Sequence, residues 1–220
     1  MEPELSSEDW TIVLPADRVQ TATKDRRLGA LLAASRAANA ITIARGPLLV
    51  DVADDSPQAS RERFSALFFV AATLVEGMLA VDALSKHFAG SAIFDSSLGK
   101  LLVDAEVTDF RSKTLKKFRD KGTFHFDEGF FRKAATQLEQ ADVVLAVLKS
   151  GQIDDIYVNV TDDLLFRHIL GPFSSDDMMV TAFEAFSSRT IDLMQRFLIS
   201  MHSFLPQALR DLGAERRRAI

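Results

Sequence analysis

The longest apolar stretch of the chain runs from Phe64 to Phe88 and reads FSALFFVAATLVEGMLAVDALSKHF. Its large apolar side chains recur at intervals of three and four residues, which is the spacing of one face of an α-helix. The other faces are apolar as well, so this helix, predicted over residues 57–89, belongs inside a helical core with neighbours on both sides. Its predicted core face consists of Phe64, Leu67, Ala71, Leu74, Met78, Val81 and Phe88.

The most apolar part of this stretch, Phe64 to Leu84, approaches the length of a membrane-spanning helix, but it carries Glu76 and Asp82. Each of these carboxylates would cost about 2.5–3.5 kcal/mol near the centre of a bilayer. Residues 1–9 are acidic and polar, whereas a secretory signal begins with basic residues. The chain has no cysteine, which excludes disulfides and thiolate zinc sites and fits a reducing compartment. We therefore expect a cytoplasmic protein with no membrane partner.

Similar spacing and helix-end signals predict further helices around the central one. Pro15 suits the first turn of a helix, Gly122 is placed to close one, and Pro206 is placed to kink or end the last one. Residues 156–160 are instead rich in β-branched side chains, as strands are. The further predicted helices cover residues 15–45, 96–105, 108–121, 128–151, 162–170 and 174–206.

These elements predict an all-α fold, namely an antiparallel helical bundle of four to six helices with a short irregular or β-like segment near 152–160. A chain of 220 residues is most simply one domain. We expect an irregular N-terminal arm over residues 1–14, a single helical-bundle domain over 15–210, and a charged, frayed C-terminal tail over 211–220. Seventeen phenylalanines predict a core rich in that residue.

Several common catalytic motifs are missing from the sequence. Neither glycine-rich phosphate-binding motif occurs, and neither H-E-x-x-H nor G-x-S-x-G is found. The four histidines are scattered, and the Glu-x-x-His pairs of a di-iron bundle are absent. We therefore expect no metal site and no cofactor.

One segment is strongly positive, although the chain as a whole is negative. Between Arg111 and Lys121 there are six basic residues and one acid, Asp120, in a chain whose formal net charge is −5. The overall charge argues against a broadly basic nucleic-acid binder, but a local basic side of a helix can hold phosphate oxygens. An ordinary solvated helix face would look the same in the sequence. The candidate RNA-binding residues are Lys113, Lys116, Lys117 and Lys121.

The end of this basic segment and the residues that follow it add a second signal. Arg119 and His125 are separated by five residues, and a polar residue, Asp120, comes directly after the arginine. The pattern resembles the R-x(4–6)-H signature of the HEPN superfamily of helical bundles, which is frequent in prokaryotic defence and toxin–antitoxin systems. The wider run from Phe118 to Asp127, FRDKGTFHFD, is similar to the corresponding segment of abortive-infection-like members.

The resemblance implies a homodimer that cleaves RNA without a metal, together with an antitoxin-like protein partner. His125 would exchange protons with the ribose 2′-OH, since an imidazole titrates near neutral pH. Arg119 would stabilise charge on the phosphate through its fixed, bidentate donors. Asp120, Asp127 and Glu76 are the expected supporting residues, with Asp127 also the expected N-cap of the following helix.

Helix geometry and local chemistry leave alternatives open. Six residues of a continuous α-helix rotate the chain by about 600°, so Arg119 and His125 would point roughly 120° apart. They converge only if Gly122 breaks the helix or a second subunit completes the site. Arg119 could instead be a structural ion pair with Glu76, and His125 a packing residue. The whole chain could then be a non-catalytic dimerising module for protein interaction or small-molecule binding.

Overall fold

A computed structural model describes residues 10–49, 57–123, 147–148, 156–157, 159–171, 173 and 175–218. They form an all-α fold with a few short strands, as the sequence predicts. The helices are α1 (Ala16–Ala22), α2 (Arg26–Ala44), α3 (Gly46–Leu49), α4 (Pro57–Phe88), α5 (Ala92–Ser96), α6 (Leu98–Val103), α7 (Ala105–Phe110), α8 (Lys116–Phe118), α9 (Asn159–Leu170) and α10 (Asp176–Arg210). Two π-helical stretches are π1 (Arg111–Leu115) and π2 (Arg119–Thr123), and the strands are β1 (Trp10–Val13), β2 (Val147–Leu148), β3 (Ile156–Tyr157) and β4 (Glu215–Arg218).

Helix α4 is the core helix that the Phe64–Phe88 stretch predicts. Leu67, Ala71, Leu74 and Met78 of the predicted face are all buried. By length and composition alone, Glu62–Phe88 could cross a membrane, but 67% of its most apolar window is buried inside the protein. The core helix of a folded domain has the same property, so this helix is weak evidence for a membrane span.

The chain divides into two compact units. Unit 1 consists of Met1–Ala38, Gly77–Val103 and Arg196–Ile220, and unit 2 consists of Asn39–Glu76 and Asp104–Gln195. The long helices α2, α4 and α10 each contribute residues to both units. Each unit has a core of its own.

The core of unit 2 is a cluster of phenylalanines. Phe64 stacks on Phe183 with ring centroids 4.3 Å apart, and Phe68 lies 6.4 Å from Phe186. Residue numbers therefore increase together along both helices, so α4 and α10 run in the same direction at this contact. Phe118 stacks on Phe186 and Phe68, at 4.5 and 5.1 Å, and so attaches α8 to both long helices. The cluster confirms the predicted phenylalanine-rich core.

In unit 1, a glycine allows two helices to approach closely. A Cβ atom on Gly77 would lie 2.9 Å from the ring of Phe197 and 3.4 Å from Cβ of Ala37. Phe197 is fully buried, so the ring occupies the space that a larger side chain at position 77 would need. Further along the same pair of helices, Phe204 lies 5.1 Å from Phe88 in an edge-to-face contact.

The predicted continuous helix over 15–45 is wrong. Helix α1 ends at Ala22, and α2 begins at Arg26. Asp25 starts the second helix, because its carboxylate accepts the backbone N–H of Arg27 at 2.9 Å and pairs with the guanidinium of Arg27 at 2.7 Å. Between the predicted helices over 15–45 and 57–89, residues Gly46–Leu49 form the short helix α3.

The predictions of an irregular arm and a frayed tail are also wrong at 10–13 and 215–218. β1 and β4 pair as an antiparallel ribbon, with Trp10 opposite Arg218 and Val13 opposite Glu215. Neither segment has a partner nearby in the sequence, so a pattern search cannot find the pairing. Pro206 does not end the last helix, since α10 continues to Arg210.

The β-like segment predicted near 152–160 is confirmed by β3, which pairs antiparallel with β2. Because β2 is Val147–Leu148, the helix predicted over 128–151 does not continue through Leu148. Residues 124–146, where the rest of that helix was predicted, lie outside the described residues.

Candidate nucleic-acid interface

The basic segment Arg111–Lys121 is helical throughout and is attached to the core on one side. Leu115 and Phe118 are fully buried. The two π-helical stretches on either side of α8 use wider i→i+5 turns, which are rare and are often found at functional sites. Buried apolar residues on one side leave the cationic side chains of the segment on the other side.

The cations of this side differ in their local partners. Nζ of Lys113 lies 2.5 Å from the carboxylate of Asp109, an i,i+4 ion pair with both side chains at least half exposed. Lys116, Lys117 and Lys121 are exposed. Within the part of the chain that the structure describes, Lys116 and Lys117 form no ion pair. Two of the four predicted RNA-binding lysines are therefore available for an anionic ligand.

Arg119 is held by two carboxylates. Its Nε donates a hydrogen bond to Oδ1 of Asp120 at 2.7 Å, and its Nη2 lies 2.6 Å from the same oxygen. Its Nη1 donates to Oε1 of Glu76 at 3.2 Å. The predicted Arg119–Glu76 ion pair is confirmed, but the Glu76 side chain is 53% exposed, so the pair does not serve to neutralise a buried carboxylate.

The charge state of Arg119 follows from this contact. The hydrogen bond that Arg119 donates to Asp120 is the largest influence and raises the pKa of the guanidinium above its usual value, with a smaller contribution from Glu76. Burial acts in the opposite direction and is outweighed. Arg119 therefore stays cationic at every physiological pH, and the group formed by Arg119, Asp120 and Glu76 contains one positive and two negative side chains.

Gly122 does not end the helix as predicted. It lies inside π2, which continues to Thr123. A glycine costs a helix only about 1 kcal/mol relative to alanine, so it can be accommodated where neighbouring residues are well packed. The helix break that would bring Arg119 towards residue 125 is thus absent as far as Thr123. His125 and Asp127 lie outside the described residues, so the convergence of Arg119 with His125 stays a prediction.

Two contacts at the site are not among the sequence predictions. Arg189 on α10 lies with its guanidinium carbon 4.3 Å from the ring centroid of Phe110, and this cation–π contact places a further cation beside the segment. No sequence signal connects residues so far apart in the chain. The Asp109–Lys113 pair, by contrast, has the i,i+4 spacing that could have indicated it.

No group of three or more acidic or histidine side chains in the described part of the chain is arranged to hold a metal ion. Comparison of the chain with protein-family models, curated proteins and solved structures gives no match.

Proposed function

We propose that the chain binds single-stranded RNA through the basic side of the segment Arg111–Lys121. The proposal rests on one observation, namely that this segment is anchored in the core on one side and presents lysines to solvent on the other. Phe118 is stacked in the aromatic core, and Lys116 and Lys117 are exposed and lack ion-pair partners among the described residues. Cations on a fixed helix face replace condensed counterions along a phosphate backbone, which provides most of the affinity in sequence-independent binding.

The finer proposal is metal-independent cleavage in the manner of the HEPN-like motif. His125 would take the proton of a ribose 2′-OH while the 2′ oxygen attacks phosphorus. The bond to the 5′ oxygen then breaks and that oxygen takes up a proton from water, which leaves a 2′,3′-cyclic phosphate and a 5′-hydroxyl, while the protonated His125 returns its proton to the resulting hydroxide. Arg119 would stabilise the charge on the phosphate. In this role its guanidinium turns from Glu76 towards the phosphate, and Asp120 fixes its orientation.

The resemblance extends this proposal to the setting of the protein. We place the chain in the cytoplasm, as a homodimeric component of a prokaryotic defence or stress system with an antitoxin-like protein partner.

A second candidate is a non-catalytic helical interaction module. It is favoured by the two carboxylates around Arg119, because a guanidinium already paired with two anions has little attraction left for a third. Exposed apolar side chains such as Ile43 (78%) and Val103 (84%) would suit contact with a protein. Single exposed residues of this type are also common on monomers, so they add less support than the Arg119 contacts do.

The cleavage test uses single-stranded RNA in EDTA with wild-type protein, Arg119→Ala and His125→Ala. We expect 2′,3′-cyclic ends from the wild type and from neither variant. RNA that is bound but not cut would retain the binding proposal and reject the nuclease. A folded protein that neither binds nor cuts would favour the interaction module. Glu76→Gln is the informative companion variant, because it releases Arg119 from one carboxylate without shortening the side chain at position 76.

A further inference from the structure

A second cluster of cations lies in unit 1, on the ribbon formed by β1 and β4. Three consecutive arginines, Arg216, Arg217 and Arg218, make up most of β4, and every residue of this strand is exposed. Pairing with β1 holds the backbone of this arginine run in an extended conformation with a fixed register. This distinguishes the run from a charged tail with free backbone torsions, because the arginines lose little further chain entropy on binding a ligand.

The register distributes the arginines over both faces of the ribbon. Side chains alternate along a strand, so Arg216 and Arg218 share one face, while Arg217 lies on the other. Ile12, 36% exposed, is directly opposite Arg216 and therefore lies on the same face. The only acid in the strand, Glu215, pairs with Arg217 at 3.3 Å, so the strand contains three positive side chains and one negative side chain.

The turn before β4 adds a fourth guanidinium. Gly213 has φ +90°, and the end of α10 forms a Schellman motif in which Gly213 N–H donates to the Arg210 carbonyl at 2.8 Å and Ala214 N–H to the Leu209 carbonyl at 3.0 Å. Arg18 packs over this turn, since its Nη1 would lie 3.1 Å from a Cβ atom on Gly213. The helix end thus fixes both where β4 begins and where Arg18 lies.

We propose that Arg18 and the three arginines of β4, together called the arginine ribbon, form a binding surface for the phosphate backbone of a single-stranded nucleic acid. Guanidinium groups match phosphate oxygens with paired, planar donors, and all four cations of the ribbon are arginines. Arginines on both faces suit a flexible strand that can pass around the ribbon. A flat bilayer would meet only one face. The proposal relies on the proposed function only in naming RNA as the strand.

The test is the salt dependence of binding to a fluorescent 20-nucleotide poly(U) strand, measured by anisotropy between 0.05 and 1 M salt. The test variant is Arg216→Gln/Arg217→Gln/Arg218→Gln, whose side chains stay long and polar in the strand. Each phosphate contact with a single strand contributes about 0.7 to the slope of log affinity against log salt, so loss of three contacts lowers the slope by about 2. Affinity should then fall by about two to three orders of magnitude at 0.05 M salt and hardly at all near 1 M.

The matched control is Lys24→Gln/Lys86→Gln/Lys100→Gln. These three exposed lysines also belong to unit 1, and their replacement changes the net charge by the same amount. We expect this variant to keep most of the wild-type slope. Equal losses in both triple variants would overturn the proposal, because the effect would then depend on net charge and not on the ribbon. Glu215→Gln should raise affinity, since it frees Arg217 from its carboxylate.

Two further comparisons make the outcome specific. Lys116→Gln/Lys117→Gln tests the basic segment Arg111–Lys121. If the slope of log affinity against log salt falls in this lysine variant but not in the arginine variant, the ribbon proposal is rejected and the proposed function is kept. The reverse result would keep the ribbon and reject the role of the segment. Binding of the wild type to vesicles of 30% phosphatidylserine, without binding to poly(U), would overturn the ribbon proposal in favour of a membrane surface. Circular dichroism checks that every variant is folded.

Discussion

The two basic regions of the protein use similar residues in opposite ways. In the segment Arg111–Lys121, Arg119 is bound to two carboxylates, and the preceding residue, Phe118, stacks on the ring of Phe186 in the core. In the arginine ribbon, the backbone is fixed by strand pairing and a helix cap, every residue of β4 is exposed, and Arg217 pairs with the exposed carboxylate of Glu215. A run of positive charge in a sequence therefore does not by itself indicate how many cations a ligand can reach.

The largest expected effect comes from removing the attachment of the basic segment. Phe118→Ala deletes a fully buried ring that stacks on two others, so we expect the free energy of unfolding to fall by about 3–5 kcal/mol in urea titrations. Phe69→Ala is the control on α4, because Phe69 is 40% exposed and its loss should cost much less. Equal costs for the two variants would show that the segment is not held by its aromatic contacts.

The corresponding change in the ribbon is Gly213→Ala. The φ of +90° is unfavourable for a residue with a Cβ atom, and that atom would lie 2.8 Å from Cδ of Arg18. We expect a loss of about 1–2 kcal/mol in the free energy of unfolding. Gly29→Ala, in a helix position where a Cβ atom would meet nothing within 4 Å, should instead stabilise the protein by up to about 1 kcal/mol. A neutral Gly213→Ala would mean that this turn does not fix the ribbon.

Much of the fold could be predicted from the sequence, because it depends on local patterns. The apolar periodicity of Phe64–Phe88 identified α4, and Gly90, with φ +87°, follows its end. The Arg119–Glu76 pair could also be predicted from charge and position. The break at Asp25 depends on a single side chain that caps the following helix, which the surrounding helical periodicity conceals.

The features that the sequence patterns do not predict depend on contacts between residues that are distant in the chain. The pairing of β1 with β4 joins residues about two hundred positions apart, and a four-residue strand has no pattern that identifies its partner. The π-helical turns around α8 and the contact of Arg189 with Phe110 likewise arise from packing between elements. The sequence does not distinguish a catalytic from a structural role for Arg119, because an arginine suits both.

A smaller effect is expected from Glu76→Gln. Arg119 is only partly exposed, but Glu76 is about half exposed, so loss of this ion pair should cost no more than about 1 kcal/mol of stability. Removing the carboxylate should also strengthen RNA binding by roughly 2–5-fold, which corresponds to a charge interaction of about 0.5–1 kcal/mol. Anisotropy at 0.1 M salt measures the change. Weaker binding by a folded Glu76→Gln protein would contradict the location of the RNA site beside Arg119.

The smallest expected effects are on stability, and they differ between Lys113→Gln and Lys116→Gln. Lys113→Gln removes an exposed i,i+4 pair with Asp109 and should cost about 0.3–0.5 kcal/mol of stability. Lys116→Gln removes no pair among the described residues, so its free energy of unfolding should stay within the error of the measurement. Thermal unfolding at two salt concentrations distinguishes them, because screening should reduce the effect of the first and leave the second unchanged.

The central claim is that the basic segment binds RNA, and the salt dependence of Lys116→Gln/Lys117→Gln tests it most directly. With the poly(U) strand, loss of two phosphate contacts should lower the slope of log affinity against log salt by about 1.4 relative to the wild type. Lys24→Gln/Lys86→Gln, which changes the net charge equally, should leave the slope nearly as it was. A lysine variant of the segment that keeps the wild-type slope and affinity would contradict the proposed RNA interface.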